Sequence, residues 1–249
     1  MEIPHILEEL AYDMGELPRD AIEAAITKKE QITPYLLDIL KDAIERVDEI
    51  VEDDNYQGHL YAMYLLAQFR EEAAFPFILE LISFPGDIPH AIAGDVLTED
   101  ISRILASVCG KKTAALERMI ENSTLNEYVR CACLSSLVTL VGVKHVARSE
   151  VVSYFKSLFR EKIEKVPSLV WNHLVMSACL LYPDEIYEEI SHAFYDRLID
   201  PTYISLSDVT TILSEKKESH LFQLHQNSEL IEDTVSEMEK WLTNMSFEV

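Results

Sequence analysis

The stretch Asn126-Glu127-Tyr128-Val129-Arg130-Cys131-Ala132-Cys133-Leu134-Ser135-Ser136-Leu137-Val138-Thr139-Leu140 decides the fold. Apolar or small residues fall at 129, 132, 133, 136, 137 and 140, one face of a helix. Cys131, Leu134 and Val138 form a second apolar stripe on the same helix. A helix covered on two sides is what stacked helical repeats require. Residues 169 to 182 read the same way. Val170, Leu174, Ser177 and Leu181 form one stripe, and Trp171, Val175, Ala178 and Tyr182 form another.

Working outward, helical segments close near Phe69, Cys109, Val141 and Tyr182, at intervals of 40, 32 and 41 residues. These fall within the usual range for HEAT-type repeats, with one short copy. Inner helices are predicted over about 55–69, 96–109, 126–141 and 168–182, and outer helices over about 34–52, 75–83, 112–122 and 147–162. A first helix is expected over about 3–14. Thr33 and Pro34 read as N-cap and first helical residue of the 34–52 helix. A further pair is predicted at 184–199 and 206–217. The polar stretch Lys216 to Ser228 reads as a mobile loop, and a last amphipathic helix over about 229–243 reads as a cap on the end of the stack. The expectation is therefore all-α: an α-α superhelix, HEAT/ARM-like, of roughly five to six helix pairs. It forms a single domain over 1–249, with acidic N-terminal helices at 1–54, helix pairs at 55–217 and the capping helix at 229–243.

Composition supports this class. The chain is 48% hydrophobic, enough for a sizeable core, and has only 6 Gly, so β-turn chemistry is scarce. The net charge of -23 argues against nucleic acid and against anionic lipid, both of which need clustered Lys and Arg. It suits a basic protein partner. Cys109, Cys131, Cys133 and Cys179 all lie in apolar helical runs without zinc-ligand spacing, and read as buried reduced thiols of a cytoplasmic protein. No apolar run approaches the ~20 residues of a membrane span. Met1-Glu2-Ile3-Pro4-His5 lacks the basic start of a signal peptide, although a signal read by a specialised secretion system has no signature of this kind.

Two segments are candidate sites. In Gly94-Asp95-Val96-Leu97-Thr98-Glu99-Asp100-Ile101-Ser102-Arg103, the residues Asp95, Glu99 and Arg103 are spaced i, i+4, i+8. Asp95, Glu99 and Asp100 could be oxygen ligands of a hard cation, the basis of a metal-assisted hydrolase. The competing reading is a capped helix start whose acids oppose the dipole, with Glu99 paired to Arg103. The second segment is the acidic run Glu45, Asp48, Glu49, Glu52, Asp53 and Asp54. Residues 2 to 54 hold 16 acids and 5 bases, a net of -11. The run is a docking surface for a basic protein segment or a solvated helix face. His90 is expected in a loop near Asp95. No Ser or Cys nucleophile motif, Gly-rich phosphate loop or cofactor signature is present, so no catalytic residue and no cofactor are assigned. Arg130 reads as structural, tying neighbouring helices through carboxylates or carbonyls.

Several strings together resemble a bacterial family, the domain of unknown function numbered 1186. They are Ile32-Thr33-Pro34 with Leu36-Leu37; Leu65-Leu66-Ala67-Gln68-Phe69-Arg70; Gly94-Asp95 through Thr98-Glu99-Asp100; and Arg103-Ile104-Leu105-Ala106-Ser107. The resemblance covers roughly residues 5 to 210. It implies helical repeats and supplies no activity. Some members end in a Cys/His-rich zinc motif; this chain has no Cys after Cys179, so that metal is not carried over. The functional expectation is a non-enzymatic protein–protein interaction scaffold. The alternatives are a chaperone-like carrier or regulator of a basic protein, and the metal-assisted hydrolase centred on Asp95 and Glu99.

Overall fold

The computed structural model describes residues 1–53 and 55–245; of residues 241–245 only the backbone is described. Among the described residues seventeen α-helices follow in order. They are α1 (Ile3–Ala11), α2 (Arg19–Thr27), α3 (Lys29–Glu45), α4 (Val47–Val51), α5 (Gly58–Phe69), α6 (Phe75–Leu81), α7 (Ile88–Ala93), α8 (Val96–Glu99), α9 (Ile101–Val108), α10 (Thr113–Glu121), α11 (Glu127–Gly142), α12 (Arg148–Ser157), α13 (Leu169–Leu180), α14 (Tyr187–Tyr195), α15 (Leu206–Ser214), α16 (Lys217–Asn227) and α17 (Thr234–Met245). The described residues hold no β-strand, only an isolated bridge between Tyr12 and Tyr56.

The helices sort into two compact units. The first comprises residues 1–95, 107–109 and 230–249, and the second residues 96–106 and 110–229. In the first unit α5 is the central helix. All but two of its residues are buried, because α1, α2, α3 and α17 pack around it. Arg70 closes α5 in a left-handed conformation, φ 59°, and donates to the carbonyls of Ala67 and Ile231, both at 2.6 Å. Ser107 Oγ accepts from the Ile231 amide at 3.0 Å, and Gln68 Oε1 accepts from the Thr234 amide and hydroxyl at 2.9 and 2.7 Å. Leu230, Ile231, Val235 and Met238 are buried beside these bonds. The C-terminal helix, expected to cap the helices before it, thus packs on α2 and α5 at the beginning of the chain.

In the second unit α11 and α13 pack against each other, and α10 packs on α11. Both central helices are buried almost all round, as their double stripes predict. Arg130 is 1% exposed. Its guanidinium donates to the Ile120 carbonyl at 2.9 Å and forks onto both oxygens of Glu164, at 2.5 and 2.9 Å. A buried guanidinium needs such partners, since an unpaired buried charge is strongly unfavourable. Arg148 does similar work at the end of α13, bonding the Leu181 carbonyl at 2.5 Å and the carboxylates of Asp184 and Glu185. All four cysteines are buried thiols outside any disulfide, and burial pushes the Cys131 and Cys179 thiols up to about 12.

Four local expectations are corrected. The helix predicted from Pro34 begins at Lys29, with Pro34 inside it and Thr33 Oγ1 bonded back to the Lys29 carbonyl at 2.8 Å. Tertiary burial of Ile32 and Leu36 on one face outweighs the proline signal. The same predicted helix does not run through to 52: it breaks at Arg46 and resumes as α4. Lys216–Ser228 is not a loop but α16, a polar helix that buries only Leu224. His90 lies in α7, not in a loop.

Candidate functional site: a cleft along helix α11

The second unit contains a cleft of about 440 Å³. Its floor is the face of α11 carrying Ser135, Val138 and Thr139. One wall is Glu99, Asp100 and Arg103, from α8, α9 and the residue between them. The other is Leu180 of α13 with His220, Gln223 and Leu224 of α16, and the segment through Glu229 closes the end. A smaller cavity of about 190 Å³ lies beside the N-terminal half of α11 and shares Ser135 with the cleft. It is lined by Leu97, Thr98, Ser102, Tyr128, Cys131, Ala132, Leu169 and His173.

Charge in the cleft is organised around Arg103. Its side chain is 17% exposed and donates to Asp100 Oδ1 at 3.0 Å, to Glu229 Oε1 at 3.0 Å and to the Glu229 carbonyl at 3.4 Å. The expected i, i+4 pairing with Glu99 gives way to pairing with Asp100, because α8 ends at Glu99 and α9 starts anew at Ile101. Glu99 is exposed at the rim. Two carboxylates therefore hold the guanidinium and a third lines the cleft, so the lining is net acidic.

Where the two cavities meet, Ser135 Oγ stands 2.7 Å from His173 Nε2. Burial lowers the His173 pKa, which keeps the ring neutral near pH 7, so that Nε2 accepts the hydroxyl proton in one tautomer and donates to Oγ in the other. This pair was missed in the sequence. Its members stand 38 residues apart, and a lone Ser and a lone His on two apolar helices carry no local signal. The wall α16 is held by imidazoles: His220 Nε2 lies 2.9 Å from the Cys179 carbonyl, and His225 Nδ1 lies 2.7 Å from the Gly142 carbonyl.

The other predicted residues are dispersed. Asp95 is exposed and belongs to the first unit, whereas Glu99 and Asp100 belong to the second. Among the described residues no group of three His, Cys, Asp or Glu side chains could hold a metal ion. In the acidic run, Glu45, Asp48, Glu49 and Glu52 are exposed and Asp53 is half-buried; Asp54 lies outside the described residues. The break at Arg46 sets a cation inside this run, bonded to Asp42 and Glu49 at 2.8 Å each. No helix among the described residues is long and apolar enough to cross a membrane.

Comparison with known proteins places the chain. It is 56% identical over 249 residues to a protein of Chlamydia muridarum (strain MoPn / Nigg), named only "Uncharacterized protein", with both chains covered in full. It is also 56% identical over 249 residues to a protein of Chlamydia trachomatis serovar D with the same printed name, covering this chain in full and 99% of the relative. No solved structure matches. The family model described as "Protein of unknown function (DUF1186)" matches residues 1–245, beyond the 5–210 that the sequence strings suggest, and the chain belongs to that family.

Proposed function

We propose that the protein is a non-enzymatic binding module that holds a segment of another protein in the cleft along α11. The observation that carries this reading is the cleft's mixed lining. Val138, Leu180 and Leu224 offer apolar surface, and Glu99, Asp100 and Glu229 outnumber Arg103 in charge. Concave, largely apolar sites with a few placed polar groups are where ligands bind. A HEAT-like stacking of helix pairs fits the same role. The succession of α10 on α11 and α11 on α13 supports it.

The acidic run at Glu45, Asp48, Glu49 and Glu52 is the alternative docking surface, favoured by its exposure and by the excess of acid in residues 2 to 54. It is the face that a carrier or regulator of a basic protein would use. Photocrosslinking separates the two readings. A photoreactive residue at Gln223 should trap partner peptides reproducibly, and one at Asp48 should not. Partner peptides trapped only from position 48 would move the site to the acidic run.

A further inference from the structure

The two cavities adjoin at Ser135 and form a small and a large chamber along α11. Cys131 and Ala132 line only the small chamber, Val138 and Thr139 only the large one, and Ser135 lines both. The chambers differ in character. The small one is uncharged and lined by Leu97, Ala132 and Leu169, with His173 kept neutral by burial. The large one carries Glu99, Asp100 and Glu229 against Arg103. An occupant complementary to both has an uncharged apolar side chain at one end and a long cationic one at the other.

The spacing follows from helix geometry. From Cys131 to Val138 is seven residues of α11, about 10 Å at a rise of about 1.5 Å per residue. In a polyproline II segment, residues i and i+3 point to the same side about 9 Å apart. In a pleated strand only i and i+2, about 7 Å apart, or i and i+4, about 13 Å apart, share a face. The polyproline II spacing matches best.

We propose that the groove takes an extended, polyproline II-like segment of a partner protein, with Lys or Arg in the acidic chamber and Leu or Met three residues away in the neutral chamber. The aliphatic stem of the cation lies along Val138 and Leu180, and its head reaches Glu99 and Glu229 at the exposed rim. Ser135 stands between the two chambers. Its hydroxyl is hydrogen-bonded to His173, and in either tautomer of that ring Oγ keeps a lone pair to accept an N–H of the segment's backbone. This inference rests on the binding-module reading above.

The test uses the full chain and fluorescently labelled, Pro-rich peptides in a polarisation assay. One peptide pair places Lys and Leu at i and i+3 in the two possible orders. A second pair has the same composition with Lys and Leu adjacent. A third replaces Lys by Glu, and a fourth replaces Leu by Ser. One member of the first pair should bind at least roughly tenfold tighter than the adjacent and Glu peptides, and more weakly as salt is added. Glu99→Lys and Glu229→Lys should each lower that affinity several-fold. Ser102→Leu, which crowds the small chamber, should abolish the preference for Leu over Ser in the peptide and keep the dependence on Lys. Circular dichroism checks that each variant is folded. Equal binding of spaced and adjacent peptides, still sensitive to Glu99→Lys, would overturn the spacing and leave the cleft as a site. No binding by any peptide, together with crosslinks confined to position 48, would overturn the cleft itself.

Discussion

Arg130 on α11 and Glu164 in the segment before α13 form a two-pronged ion pair, at 2.5 and 2.9 Å, with the guanidinium almost fully enclosed. The Arg130 hydrogen bonds hold the Glu164 carboxyl below its usual range. The Glu164 carbonyl in turn accepts from Trp171 Nε1 at 2.9 Å, so one residue ties α11 to α13 by both its side chain and its backbone.

Both members of the pair should matter to stability. Arg130→Ala removes a buried cation and leaves a void, and should cost about 3 kcal/mol in urea unfolding. Glu164→Gln leaves the enclosed guanidinium without its counter-charge and turns an amide N–H towards it, and should cost about 2–3 kcal/mol. Because the Glu164 pKa is lowered from 4.5, its contribution is present above that value and is lost as pH falls through the lower folded one. A Glu164→Gln variant as stable as the parent would show that the pair is not what joins these helices.

Two histidines, buried His59 and half-buried His173, should make stability fall on mild acidification. His59 donates from Nε2 to the Ile92 carbonyl at 2.7 Å, while its buried Nδ1 has no hydrogen-bond partner. A second proton would therefore be buried without an acceptor. Burial lowers the pKa of both His59 and His173. The unfolded chain then takes up protons first as pH drops through about 6.5, so the loss begins there and continues towards the lower folded values. Thermal midpoints should decline from pH 7.5 to 5, and His59→Phe should flatten the decline. An unaltered slope in that variant would locate the acid sensitivity elsewhere.

Gly142 is required by close packing rather than by its backbone angles. A Cβ there would lie 1.9 Å from Ser228 Oγ and 2.3 Å from Ser228 Cβ. Gly142→Ala should push the end of α16 away from α11 and cost about 1–3 kcal/mol. Faster amide exchange in residues 217–228 should accompany it. Adding Ser228→Gly should restore most of the loss. Failure of that rescue would mean the strain lies along the helix itself.

Deleting the chain from Leu230 onward should undo the first unit although it removes a terminus. Arg70 loses the Ile231 carbonyl, Ser107 loses the Ile231 amide, and Gln68 loses Thr234. The buried side chains Leu230, Ile231, Val235 and Met238 leave with them. Burying such side chains is worth roughly 1.5–3 kcal/mol each, so the truncated chain should aggregate or show native amide protection only within residues 96–229. Full protection of α5 in the truncated protein would contradict this assembly.

The sequence by itself determined that the chain is helical and which helices are central. Double apolar stripes on 126–141 and 168–182 have one physical solution, burial on two sides, and α11 and α13 show it. Arg130 was legible because an arginine inside such a stripe must find partners. The tertiary structure decided what depends on contacts distant in sequence. Polar α16 has almost no stripe of its own, and is held by imidazole-to-carbonyl bonds reaching to Cys179 and Gly142. The last helix shows an amphipathic pattern but not its partner, because periodicity records that a face is buried and not against what. The cleft was illegible for the same reason. Asp100, Ser135, Leu180 and Glu229 share no local pattern, and only packing of the second unit's helices brings them to one concave surface.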